Sequence, residues 1–183
     1  MVNFLLAYFL YIAGVFTVIA MAINYGQRLG FSDQDLVVAL LITNFAGFPA
    51  TLLFGFIGHR FGPRIGIHIA LAVYIVVSTW AVFMTSIGEY YAMAIAIGCV
   101  QGGAQGLSRS LFASLIPVDA PGEFFGFYNM VTKLAHVLGP SLVGIAAILS
   151  DDPKTVLLTL LPLFVIGGLL LGRVGGDTRH SSH

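Results

Sequence analysis

Cysteine and charge are what this sequence has least of. One cysteine, Cys99, occurs in 183 residues, so no intrachain disulfide can form and thiolates cannot build a metal site. It lies inside an apolar segment, where a small packing residue suits it. Charged residues make up 9% of the chain, with 8 Lys+Arg against 8 Asp+Glu and no basic run. That balance excludes a nucleic-acid partner and a polybasic lipid anchor. Neither H-E-x-x-H nor G-x-S-x-G occurs, carboxylates are not paired within a helix, and there is no nucleotide loop. Catalysis therefore has no support, and no cofactor or metal is expected.

What remains is apolar. Hydrophobic residues reach 58% and the mean hydropathy is +0.96, the composition of an integral membrane protein with the bilayer as its main partner. A spanning helix needs roughly 20 apolar residues, and the sequence divides into six such segments. They run from Phe4 to Tyr25, Asp35 to Ile57, Ile65 to Thr85, Tyr90 to Leu107, Phe124 to Leu149 and Thr155 to Gly172. The expected organisation is an all-α transmembrane domain over residues 1–173 and a polar C-terminal tail over 174–183. The first segment lacks a basic leader and its apolar run exceeds the usual signal-peptide core of about 7 to 15 residues, so it reads as a retained helix.

Positive residues set orientation. With the N-terminus inside, Arg60, Arg64, Arg109, Arg173 and Arg179 fall on the inner side, against Arg28 and Lys154 outside. Both termini are thus expected in the cytoplasm, with a bacterial inner membrane as the setting. Tyr25, Tyr90 and Tyr91 fall near the outer helix ends, where amphipathic rings favour the interface. In the fourth segment Gly98, Gly102 and Gly106 make a smooth stripe. It either lets another helix pack closely or lets helices slide past each other.

Two stretches carry resemblances. GFIGHRFGPR, Gly55 to Arg64, resembles the loop signature G-x-x-x-D-R-x-G-x-R of the major facilitator superfamily. Gly55, Arg60, Gly62 and Arg64 match, while His59 stands at the usual Asp position. The second resemblance rests on FLLAYFLY (Phe4 to Tyr11), GGAQGLSRSLFASLIP (Gly102 to Pro117), GEFFGFYN (Gly122 to Asn129), Lys133 and the Gly139-Pro140 pair. With these, the chain is similar to the C-terminal six-helix half of the vacuole effluxer Atg22-like transporters of that superfamily. The resemblance implies half of a major facilitator fold, built from two inverted three-helix repeats, and secondary transport; fungal relatives export amino acids from the vacuole. It further implies gating roles for His59, Arg60, Gly62, Arg64 and Arg109. The family carries an Asp where this chain has Ala13.

Asn129, Lys133 and His136 share one helix face by their spacing. Lys133 lies about ten residues, or some 15 Å, from the start of its helix, near the bilayer midplane. A lysine there costs on the order of 2.5–3.5 kcal/mol on insertion scales. No Asp or Glu stands at that depth, so the lysine is expected to face a wet cavity and meet an anionic or zwitterionic substrate. The alternative is a buried lysine held by carbonyls or by Asn129. Gln101 and Gln105, Asn44 with Thr43, and Thr17 lie on helices that line the cavity in the superfamily. They are candidate substrate contacts or interhelical hydrogen bonds. His136 is either a proton carrier or a packed polar residue.

Superfamily transporters use two six-helix halves, and this chain supplies one. The expectation is a half-size secondary transporter for a small polar solute such as an amino acid, acting as a homodimer or with a separate N-terminal half. The competing expectation is a non-transporting membrane scaffold or a fragment of a transporter.

Overall fold

The computed structural model describes residues 1–117, 121–149 and 158–174. These form helices α1 (Val2–Arg28), α2 (Asp33–Phe61), α3 (Pro63–Ala81), α4 (Ile87–Leu115), α5 (Pro121–Leu149) and α6 (Leu161–Gly172). Each expected segment falls on one helix. The first residues of the sixth segment, and the tail beyond residue 174, lie outside the described residues.

Local chemistry sets the helix starts. Ser32 accepts from the Asp35 N–H at 3.3 Å while the Asp35 carboxylate accepts from the Ser32 N–H at 3.2 Å. Ser86 and Glu89 repeat the pattern at 3.3 and 3.0 Å. Each box satisfies N-terminal donors that helix geometry leaves without partners, and puts an acid at the positive end of the dipole. Between α2 and α3 the chain turns at Gly62, whose φ of 91° only glycine adopts without strain, and Pro63 starts α3.

One boundary differs from expectation. The stretch after Leu107 reads as a polar turn, yet α4 continues to Leu115 and carries Arg109 along it. Ser108 donates to the Ala104 carbonyl at 2.5 Å and Ser114 to Leu111 at 2.7 Å. Leu107, Leu111 and Phe112 are buried, so hydroxyls folded back on the backbone let the apolar spacing persist. Tyr25 and Tyr90 differ too. They are buried rather than turned to an interface, and donate to the carbonyls of Ala81 and Ala22 at 2.5 and 2.9 Å. Tyr91 is half-buried and donates to Asp35 at 3.0 Å.

The helices fall into two groups. α4 packs chiefly on α2 and α3, α1 on α5 and α6, and α3 meets α6 between the groups. Lipid tails are as apolar as the helices, so close van der Waals fit must hold them together. Glycine supplies it at both main crossings. A Cβ on Gly98 of α4 would collide with the Thr43 carbonyl of α2, and one on Gly139 of α5 would stand 2.5 Å from the Ala13 carbonyl of α1. Among the described residues, α1, α2 and α3 are long and apolar enough by composition to cross a membrane, and α6 is a 12-residue apolar helix. The molecule is an integral membrane protein of helices.

Candidate functional site

α2 and α4 stay in contact from Gly98 at Thr43 through Gly102 at Thr51 to Gly103 at Phe54, and a groove lies beside that contact. Its middle section holds about 360 Å³ and is lined by Thr43, Asn44, Gly47, Thr51, Gln101 and Gln105 among others. On the other side of the Thr51–Gly102 contact a section of about 390 Å³ reaches His59 and Ser110. In the other direction Thr43 and Gln101 also line a smaller hollow of about 40 Å³ against α1 and Tyr90. A row of hollows thus follows the α2–α4 contact from the acidic end of the bundle, near Tyr90, to the arginine end.

The polar atoms along it are of two kinds. Thr43, Asn44 and Thr51 each donate to a carbonyl one turn earlier, at 2.9, 2.8 and 2.8 Å. Those donors are satisfied within α2. Gln101 and Gln105 form no side-chain hydrogen bond to the described residues, so both amides keep donors and acceptors available to water or solute. Gly55 and Gly106, which line the lower hollow, have open space where a Cβ would be.

The remaining sequence candidates lie elsewhere. Asn129, Lys133 and His136 are on one exposed face of α5, as their spacing requires. The alternative of a lysine buried by this chain is not what the structure holds. His136 stacks on Phe16 of α1, with ring centroids 4.3 Å apart and planes 11° apart. Thr17 is completely buried, donates to the Ala13 carbonyl at 2.7 Å and abuts Gly139. It belongs to the α1–α5 crossing and not to the groove. Ala13 is buried at the same crossing, against Gly139, which lies six residues along α5 from Lys133.

At the arginine end His59 and Arg60 close α2, both exposed, with the Arg60 guanidinium carbon 5.7 Å from the Phe61 ring centre. Arg64 is half-buried in the first turn of α3. Arg109 is exposed on α4, near enough to act electrostatically on the phenols of Tyr8 and Tyr128. Those phenols belong to a cluster that residue types alone do not single out. Tyr8 stacks on Tyr128 at 4.5 Å and Phe112 on Tyr128 at 4.9 Å. Tyr8 bonds Thr132 at 2.8 Å, and Tyr11 bonds Ser108 at 2.6 Å. The signal is the aromatic spacing of Phe4, Tyr8 and Tyr11, which puts three rings on adjoining positions of one helix.

An apolar helical bundle with polar hollows beside one of its helix contacts is a membrane fold, and the comparisons with known proteins place it in a family. The chain belongs to the vacuole effluxer Atg22-like family, whose pattern matches residues 1–180. An uncharacterized MFS-type transporter, YxiO of Bacillus subtilis, is 38% identical over 175 residues, 96% of this chain and 41% of that protein. Autophagy-related protein 22 of Yarrowia lipolytica is 31% identical over 154 residues, covering 78% of this chain and 26% of its own length. Its namesake in Vanderwaltozyma polyspora is 27% identical over 185 residues, covering 90% and 34%. The chain spans under half the length of these curated relatives.

Proposed function

We propose that the chain is a half-size secondary transporter of the major facilitator type that moves a small polar solute, such as an amino acid, as a homodimer. The observation that carries this reading is the α2–α4 groove, whose two unpartnered glutamine amides offer hydrogen bonds to a zwitterion. Gln101, Gln105 and Asn44 contact the solute there. Lys133, with Asn129 and His136, faces the second six-helix unit or the water between the units. A lysine at that depth and exposure cannot stand against lipid, which favours such a unit. A separate N-terminal half is the other way to supply it, and the share of the relatives left unmatched favours a unit of that size.

The packing supports two inverted three-helix repeats. Exchanging α1 with α4, α2 with α5 and α3 with α6 turns the α4–α2 contact into α1–α5 and the α4–α3 contact into α1–α6. Six crossings with both termini in the cytoplasm accord with that symmetry and with the placement of the arginines. His59, Arg60, Gly62, Arg64 and Arg109 then form the cytoplasmic gate.

Proteoliposomes loaded with a panel of labelled amino acids test the reading. Flux should occur, with Gln105→Ala and Lys133→Ala each reducing it at least about tenfold while the protein stays folded. A folded oligomer without flux, or variants with full flux, would overturn it. Mass measurement in detergent separates a homodimer from a heteromer.

A further inference from the structure

Two serines are buried among the described residues, and only one of them has partners. Ser108 donates to the Ala104 carbonyl and bonds Tyr11 at 2.6 Å. Ser78, on α3, is 3% exposed, and its Oγ has no hydrogen-bond partner among the described residues. Its neighbour Thr79 donates to the Ile75 carbonyl at 2.8 Å, the fold-back open to a hydroxyl on a helix, whereas Ser78 makes no such bond to Tyr74. A hydroxyl withdrawn from water and left unpaired is costly, so a partner is called for. Tyr74, one turn earlier, is the other buried hydroxyl of this kind; its ring is stacked on Phe164 at 5.3 Å.

Beside Ser78 is a hollow between α1, α3 and α4, bounded by Val18, Met21, Tyr25, Ala81 and Met93 among others. It leaves about 20 Å³ in which the centre of a water can lie. One water needs roughly 10–15 Å³. Apolar walls alone would keep such a space dry, but two hydroxyls stand in these walls. Ser78 can give its proton to a water. The Tyr25 hydroxyl, whose own proton goes to the Ala81 carbonyl at 2.5 Å, has oxygen lone pairs that can accept one from it.

We propose that this hollow binds one water, which accepts from Ser78 and donates to Tyr25 and so joins α3 to α1. Those helices touch at few places, and the water adds a polar tie where direct packing is sparse. Its supply lies next door. Ala22, Met93 and Ile97 border this hollow and also the one that Thr43 and Gln101 line beside the α2–α4 contact. Of the three, Met93 has the long unbranched side chain, and its rotation opens a way between the two hollows. The site needs neither a solute nor a second unit, so it stands whether or not the chain transports.

The test uses the full chain in lipid bilayers with 13C-labelled serine, read by solid-state NMR with magnetisation started on water. The Ser78 and Ser108 signals are assigned by their loss in Ser78→Ala and Ser108→Ala. Ser78 should receive water magnetisation at a rate approaching that of exposed Ser32, while Ser108, just as buried, should lag several-fold. In Tyr25→Phe, which lacks the acceptor, the Ser78 rate should fall several-fold. A Ser78 rate equal to that of Ser108, as a hydroxyl folded back onto Tyr74 would give, overturns the proposal. So does a folded Tyr25→Phe that leaves the Ser78 rate unchanged. If Tyr25→Phe does not fold, the parent rates decide alone.

Discussion

The two glycine crossings of this molecule begin alike and end differently. At α1–α5, Gly139 meets the Ala13 carbonyl, and the space beyond is filled by Thr17, by the Tyr8–Thr132 bond and by stacked Tyr8 and Tyr128. At α2–α4, Gly98 meets the Thr43 carbonyl, Gly102 and Gly103 meet Thr51 and Phe54, and the groove beside that line stays open and lined with amides. Glycine lets two helices touch; the side chains beside each contact decide whether the pair seals or leaves a groove. Aromatic rings four apart fill α1–α5, whereas Gln101 and Gln105 line an open groove beside the α2–α4 contact.

Breaking the crossings should have the largest effects. Gly98→Ala and Gly139→Ala each place a methyl group against backbone that cannot rotate away, and about 2–3 kcal/mol should be lost from thermal or denaturant stability in detergent. Should either prove harmless, that crossing is not held by glycine. Next comes Tyr11→Phe, which removes the buried bond between α1 and α4 and should cost roughly 1 kcal/mol, leaving Ser108 on its own backbone bond. Gln105→Ala should change stability by under about 0.5 kcal/mol, as a side chain without protein partners would. Flux and stability therefore separate in the groove and not in the sealed crossing. At the small end, Gly106→Ala should be neutral or gain up to about 1 kcal/mol of helix propensity, because nothing occupies the space of its Cβ. The contrast between Gly98→Ala and Gly106→Ala, eight residues apart on one helix, distinguishes a packed glycine from an open one within a single stripe.

Much of this is legible in the sequence for physical reasons. Apolar length locates the six helices among the described residues, and Gly62 before Pro63 marks the turn that needs a positive φ. The i, i+4, i+7 spacing puts Asn129, Lys133 and His136 on one face. Other features depend on which neighbour a face meets, which spacing does not encode. Thr17 and Gln101 look equally available in sequence, but one is buried against Gly139 and the other lines the groove. The glycine stripe leaves packing and sliding both open; only the neighbours show Gly98 packed and Gly106 open. The end of α4 departs from expectation because serines signal turns when their hydroxyls compete with the helix, and here they bond back onto it. His68 carries no signal because its contact with α6 is to the Gly168 carbonyl, a hundred residues away.

The central claim is that the groove beside the α2–α4 contact holds water while the α1–α5 crossing is shut. Single cysteines at Gln105→Cys, Thr51→Cys and Ala135→Cys, in a Cys99→Ala background, report on it directly in proteoliposomes treated with a membrane-impermeant thiol reagent. Gln105 and Thr51 line the groove, and Ala135 is fully buried. The account predicts rapid labelling at the first two positions and none at the third. A groove facing lipid, or one closed by its own helices, would leave all three unlabelled and contradict it.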